Sequence, residues 1–280
     1  MIFHIFYKKG VTNSRKCSRM ASMRKFPIRE WNGGSCRMQD KLKKLIGDNI
    51  NFVFVGEAGS GKSEISINFA KWLVQLQDKP VHFFDMDMTK PLFRSRDVEM
   101  QMEALGIICH HEKQFMDAPT VVGGVNRLLK DEDCYVVMDV GGDHIGARAI
   151  GGYAPKLNKD NTIVYYVLNA YRPWSNDIDH IDGTLGQILG VSHIQLGKLH
   201  MVNNPNNGIT TTAKEFIEGS RKMSEMVTPY IAVDFACVRE DLYEDVKESS
   251  DVPVFPIELF LTYPWLQTDF ADGQPVPGRG

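Results

Sequence analysis

The sequence predicts an α/β protein built on a doubly wound, mostly parallel sheet with helices on both faces, a Rossmann-like three-layer arrangement. Three observations carry that expectation. Beyond residue 48, short apolar runs alternate with longer amphipathic stretches, the order that places helices on both sides of a parallel sheet. The apolar runs are rich in Val, Phe and Tyr with little polar alternation, as in strands covered on both faces. A glycine-rich loop joins the first run to the first amphipathic stretch, at the strand-to-helix junction where such sheets bind phosphate. No internal repeat or long linker interrupts the pattern, so a single domain is expected over 45–271.

In chain order, the strands are expected at Asn51–Val55, Val81–Asp85, Ile107–Cys109, Tyr135–Val140, Thr162–Asn169, Leu199–Asn203, Pro229–Phe235 and Val254–Ile257. Helices fill the intervals at about 61–77, 96–105, 119–130, 176–189, 210–226 and 239–249. Ahead of the first strand, Met38-Gln-Asp-Lys-Leu-Lys-Lys-Leu-Ile forms a short lead-in. Residues 272–280 are rich in Gly and Pro and are expected to be a flexible tail.

The most specific motif is Gly56-Glu57-Ala58-Gly59-Ser60-Gly61-Lys62-Ser63, which fits G-x-x-x-x-G-K-[ST] between a strand and a helix. Glycines let such a loop curl until successive backbone N–H groups face a phosphate chain, and the helix adds the positive end of its dipole. The expected nucleotide-binding segment is therefore Gly56, Glu57, Ala58, Gly59, Ser60, Gly61, Lys62, Ser63 and Glu64. Lys62 is expected to bridge the β- and γ-phosphates, and Ser63 to ligate Mg²⁺ through its hydroxyl.

A metal there needs a further carboxylate. Cys134-Tyr-Val-Val-Met-Asp139-Val-Gly141-Gly142-Asp143 ends an apolar strand in Asp139, the expected Mg²⁺ partner of Ser63, with the Gly141 N–H facing the γ-phosphate. Between these motifs, His82-Phe-Phe-Asp85-Met-Asp87 places two carboxylates on one face at a strand's C-terminal end. Asp87 or Asp85 can orient the attacking water and the other support the metal shell, with Asp87 a candidate metal ligand. Lys90, Arg94 and Arg96 follow as candidates to steady phosphate charge, and an ordinary acidic loop is the alternative for the whole stretch.

With these motifs the chain resembles the MinD/ParA-like branch of phosphate-loop ATPases, which also holds the CooC-type and nitrogenase-iron-protein-type ATPases. The resemblance covers about residues 48–258. It rests on the phosphate loop, Asp85-x-Asp87, Asp139-Val-Gly-Gly, Asn203-Asn204-Pro205 after a later strand, and the closing Asp251-Val-Pro253-Val-Phe-Pro256. It implies ATP and Mg²⁺ as ligands, an adenine contact from Asn203 or Asn204, and a homodimer controlled by nucleotide. The branch carries a signature lysine directly after the first loop glycine, which reaches across the dimer; this chain has Glu57 there. A guanine-specific protein is expected to show Asn-Lys-x-Asp after a late strand, and Asn203-Asn204-Pro205-Asn206 stands in that place, favouring ATP.

Composition bounds the partners. The net charge of −3 sums two unlike segments: residues 1–44 hold twelve Lys/Arg against two acids, and the remaining 236 hold twenty against thirty-three. An acidic domain must hold a polyanion by local groups rather than by overall field, so nucleic acid is a candidate partner only for the basic segment 1–44. That segment reads as an unstructured extension, with an organellar presequence and a basic arm for nucleic acid or acidic lipid as alternatives. No apolar run reaches 18 residues, which excludes a transmembrane helix. Five scattered cysteines without a C-x-x-C fit reduced thiols in a cytoplasm. The expectation is an ATPase that acts as a nucleotide switch on a client protein. An ATP-dependent small-molecule kinase or ligase and a non-hydrolysing regulator are the alternatives.

Overall fold

The computed structural model describes residues 35–87, 98–110, 124–142 and 144–261. Most of the basic extension, Lys90, Arg94 and Arg96, Asp143 and the tail 272–280 lie outside these residues. The eight expected strands form one sheet: β1 Asn51–Val55, β2 Val81–Met86, β3 Ile107–His110, β4 Tyr135–Val140, β5 Thr162–Leu168, β6 Leu199–Asn203, β7 Val233–Arg239 and β8 Val254–Ile257. Their order is β3-β2-β4-β1-β5-β6-β7-β8, and each pairing is parallel.

β1 shows why its apolar run has no alternation. All five of its residues are buried. Val53 and Val55 face an apolar cluster with Met138, Val140 and Tyr166, together with Ile181 and Leu185 of the helix Ile178–Ser192. Phe52 and Phe54 face the opposite cluster, with Ile65, Phe69 and Leu73 of the helix Lys62–Leu76. Each strand face thus has its own helical layer, the arrangement expected of a doubly wound sheet.

Aromatic contacts seat the helix Lys62–Leu76 against the sheet. Phe69 lies 4.9 Å from Phe52, 5.3 Å from Phe54 and 5.6 Å from Tyr165, centroid to centroid, and Trp72 lies 4.9 Å from Phe255. Such pairs contribute about 0.5–1.5 kcal/mol each beyond the area they bury. This stack holds the first turn of the helix, and with it Lys62 and Ser63, fixed relative to β1.

Three local differences from the sequence expectation have physical reasons. The lead-in is a helix, Ser35–Ile46, which starts ahead of residue 45 and buries Leu42 and Ile46 in the Phe52 face. Its charges lie on the other side, with Lys43 and Lys44 exposed in the last turn, where they complement the helix dipole. β7 runs over Val233–Arg239 rather than Pro229–Phe235. The helix Ala213–Val227 continues into a turn in which Tyr230 N and Ile231 N both bond the Val227 carbonyl, consuming the apolar Pro229–Ile231. Short helices at His144–Arg148 and Ala154–Leu157 span too few residues to show a 3.6-residue period. No helix among the described residues is long and apolar enough to cross a membrane.

Candidate functional site

The C-terminal ends of β1, β4 and β5 meet at the centre of the sheet, where the later strands add on the side of β1 away from β4. This switch point is where open α/β sheets hold their ligands. The phosphate loop leaves β1 there and bends through three glycines with positive φ: Gly56 at 145°, Gly59 at 77° and Gly61 at 91°. A Cβ on Gly56 would lie 2.7 Å from the Val167 carbonyl oxygen, and one on Gly61 would lie 2.2 Å from Asn204 Nδ2. Both positions therefore require glycine for space as well as for backbone conformation.

Lys62, at the start of the helix, is 2% exposed and sits among buried carboxylates. Asp85 and Asp139 are register partners on β2 and β4, and Asp87 N donates to Asp85 Oδ1 at 3.0 Å. Asp85, Asp87 and Asp139 are each at most 5% exposed. Burial pushes the Asp139 carboxyl up to about 7; the Lys62 ammonium opposes the rise, Asp85 adds to it, and a hydrogen bond from Ser63 opposes it. The β4-end loop closes over this group: a Cβ on Gly142 would lie 2.9 Å from Lys62 Nζ, and one on Gly141 3.1 Å from Asp87 Oδ1.

The donor set fits the expected ligands. Asp139 Oδ1 and Ser60 Oγ are buried without a hydrogen-bond partner, a costly condition unless something else satisfies them. A serine hydroxyl and one or two carboxylates match the hard-oxygen preference of Mg²⁺, which takes its remaining ligands from phosphate and water. The structure thus brings together Lys62, Ser63, Asp85, Asp87, Asp139 and Gly141, drawn from three strand ends.

A cavity of about 860 Å³ extends from this cluster toward β6, β7 and β8. Ala58, Gly59, Lys62 and Ser63 line its end at the glycine-rich loop, and Ile209, Val238, Leu259 and Leu261 line the apolar far end. The loop after β6 is held by its own bonds: Asn207 N donates to Thr211 Oγ1 at 2.8 Å, and Thr212 and Glu215 form a capping box on the next helix. Arg239 also donates to the Ile209 carbonyl and pairs with Asp241.

Other expected nucleotide contacts are placed differently from one another. Asn204 borders the cavity, but its amide donates to the Ser60 carbonyl at 2.8 Å, bracing the phosphate loop. Asn203 is not a wall residue; its amide donates to the Ser220 carbonyl at 3.3 Å. Glu64 borders the cavity and accepts hydrogen bonds from Phe260 N at 3.0 Å and Leu261 N at 2.7 Å. Burial pushes its carboxyl up to about 7 against those two bonds. Glu57 is buried and accepts from Ser175 Oγ at 2.9 Å. Sequence reasoning missed the wall residues Ile209, Arg239, Leu259 and Leu261; the run Asn203-Asn-Pro-Asn-Asn-Gly208, a turn-rich stretch after a strand, marks where the first of them lies.

Among the described residues no cysteine lines the cavity. Cys134 and Cys237 are buried, and burial pushes Cys134 up to about 11 and Cys237 well above its usual range. Among the described residues no group of three or more His, Cys, Asp or Glu is placed to hold a metal ion by itself, so a metal beside Asp139 needs the Ser63 hydroxyl and ligands from outside the chain.

The chain is similar in fold to chloroplast FtsY from Physcomitrella patens, with 14% identity and a TM-score of 0.45 over 71% of this chain and 66% of that one. It is also similar to the signal recognition particle 54 kDa protein from Aeropyrum pernix K1 in complex with GDP, with 16% identity and a TM-score of 0.42 over 72% of this chain and 48% of that one. A third similarity is to the hydrogenase maturation factor HypB from Archaeoglobus fulgidus, with 12% identity and a TM-score of 0.37 over 71% of this chain and 88% of that one. The aligned region spans less than two thirds of the first two structures. No protein-family model and no curated protein matches the chain.

Proposed function

We propose that this chain is a Mg²⁺-dependent nucleoside-triphosphate-binding protein and ATPase that works as a nucleotide switch on a client protein. The observation that carries the reading is the constellation of buried Lys62 and Asp139 with half-buried Ser63, beside Asp85 and Asp87, at the mouth of a glycine-cradled loop. An ammonium among three carboxylates, with orphaned oxygens nearby, is a group arranged for a ligand that it does not itself contain.

In this reading the loop N–H groups and Lys62 hold the phosphates and neutralise charge as it develops on the transferred group. Ser63 and Asp139, with Asp87 in support, would hold Mg²⁺, which supplies Lewis-acid neutralisation of the phosphate oxygens. Asp87 or Asp85 accepts a hydrogen bond from the attacking water and fixes its direction. Gly141 and Gly142, packed against Asp87 and Lys62, connect the γ-phosphate position to the segment beyond β4, so that loss of that phosphate releases the segment.

ATP is preferred in this reading because Asn203-Asn204-Pro205-Asn206 stands where a guanine-binding Asn-Lys-x-Asp would. Glu57 is turned into its own chain and offers no outward cation to a dimer partner. Unassisted turnover of roughly 10⁻⁴–10⁻² s⁻¹ is then expected, rising with the client. The test is Mg²⁺-dependent binding and hydrolysis of ATP and GTP by the wild type and Lys62→Ala. Loss of binding and turnover in the variant, with ATP preferred by the wild type, is the expected result. Unchanged ATP affinity and turnover in Lys62→Ala would overturn the mechanism.

A further inference from the structure

The residue after the first loop glycine is Glu57, and it is 3% exposed. Its Oε1 accepts the Ser175 hydroxyl at 2.9 Å, while Oε2 is buried without a partner. Ser175 belongs to the segment that follows β5. The same segment carries Arg172, whose Nε donates to the Gly59 carbonyl at 2.8 Å. Two ties, Glu57 to Ser175 and Gly59 to Arg172, therefore fasten this segment across the outer bend of the phosphate loop.

Arg172 borders the large cavity together with Ala58 and Lys62. Among the described residues its Nε alone donates a side-chain hydrogen bond, and the two terminal nitrogens have no hydrogen-bond partner there. A guanidinium is planar, so fixing Nε on a carbonyl restricts where the remaining N–H groups point. Those groups form paired, charge-assisted bonds with phosphate oxygens. Burial pushes the Glu57 carboxyl up, and the Ser175 hydroxyl and the nearby Arg172 guanidinium oppose that rise, so one buried acid bonds the segment and lies close to its cation.

We propose that Arg172 is a second phosphate-contacting cation of the nucleotide site, supplied by this chain itself, and that Glu57 is its positioning residue through Ser175. The proposal rests on the nucleotide reading above and adds to it a particular residue and the way that residue is held. A simple clip between two loops would need only the Nε–H; a phosphate contact needs the terminal nitrogens.

Arg172→Gln separates the two roles, because the Gln side-chain nitrogen occupies the position of Nε and keeps a donor for Gly59 while removing the rest of the guanidinium. Binding of a non-hydrolysable ATP analogue, ADP and AMP with Mg²⁺ is measured for the wild type, Arg172→Gln, Arg172→Lys and Ser175→Ala. The expected result is a loss of about tenfold or more for the triphosphate in Arg172→Gln, with AMP affinity within about twofold. Arg172→Lys recovers part of the loss through its charge, and Ser175→Ala shows a smaller loss of the same pattern. Wild-type triphosphate affinity in Arg172→Gln would overturn the phosphate contact, and wild-type behaviour of Ser175→Ala would overturn the positioning role. If Arg172→Gln fails to fold, Arg172→Lys decides, since a lysine cannot bond Gly59 as Nε does and still present paired donors; a triphosphate affinity equal to wild type overturns the proposal. A wild-type protein that binds no nucleotide overturns the nucleotide reading and this inference together, and that failure is recognised because it precedes any substitution.

Discussion

On the β4 and β2 side of the phosphate loop, the protein buries charge: Lys62, Asp85, Asp87 and Asp139 share a space almost closed to water. On the β6 to β8 side the wall is mainly apolar, with Ile209, Leu259 and Leu261 on loops and Val238 on β7, and its two charged members, Glu64 and Arg239, are engaged by hydrogen bonds to those loops. The first flank is costly to fold because its groups lose hydration without full compensation. The second is cheap to fold but depends on strings of weak ties for its shape. Phosphate recognition is therefore expected to be sensitive to charge and pH, and base recognition to the integrity of those ties.

The strongest test of the division is at the residue both flanks share. Gly61 has positive φ and touches Asn204 from the base side while preceding Lys62 on the phosphate side. Gly61→Ala is expected to cost about 1–3 kcal/mol in stability and to lower triphosphate and monophosphate binding together, by tenfold or more in titration calorimetry. Selective loss of one would show that the flanks are less joined here than the geometry implies.

Next is the charged flank alone. The Asp139 carboxyl is raised from 3.8 in the unfolded chain to about 7 in the folded one. The folded ligand-free protein then keeps a proton that the unfolded chain releases above its own pKa. The stability contribution is full below about pH 4 and is lost as pH rises through about 7. Melting temperature without ligand is expected to fall across that window. Asp139→Asn is expected to flatten the fall and to abolish the extra stabilisation given by Mg²⁺ with nucleotide. A melting profile with an unaltered slope in the variant would place the responsible group elsewhere, Glu64 being the next candidate because its carboxyl is raised in the same direction.

A smaller effect is expected on the apolar flank. Glu64→Ala removes the acceptor of Phe260 N and Leu261 N and loosens the wall that Leu259 and Leu261 form. Nucleotide affinity is expected to fall about threefold to tenfold, while inorganic tripolyphosphate, which has no base, binds as to the wild type. Equal losses for both ligands would mean that Glu64 serves the phosphates directly. The smallest effect belongs to Leu259→Ala, expected to weaken nucleotide binding by about threefold and to leave the pH profile of melting unchanged.

The two flanks also differ in how far the sequence disclosed them. The charged flank was readable because its residues sit at strand ends, where Asp139 and Asp85-x-Asp87 follow long apolar runs, and because the phosphate loop is contiguous in sequence. The apolar flank was not, because Ile209, Leu259 and Leu261 meet only after β6, β7 and β8 are laid side by side. The partners of Glu57 and Gly59 lie 118 and 113 residues away, a distance at which local pattern carries no signal. In the fold, strands were legible because a strand buried on both faces has no alternative use for five consecutive apolar residues. The helix Ser35–Ile46 was not, since Lys41, Lys43 and Lys44 read as a continuation of the basic extension, and its buried side is short, with Leu42 and Ile46 buried and Met38 and Leu45 half-buried beside them. β7 was displaced for a related reason: Pro229–Ile231 is as apolar as a strand but serves as the turn ending a helix.

The placing of β1 between β4 and β5 has a consequence for the order of assembly. β1 is synthesised well before its partners, which begin at Tyr135 and Thr162, so closing those pairings means closing chain loops of roughly a hundred residues. Parallel sheets with such distant pairings fold slowly. A nascent chain that ends before β5 carries the complete phosphate-loop motif on a strand with one edge unpaired. It has neither the Val167 carbonyl that backs Gly56 nor Arg172. On the proposed function, nucleotide is therefore expected to stabilise the domain once β5 is in place, and not the part that ends before it.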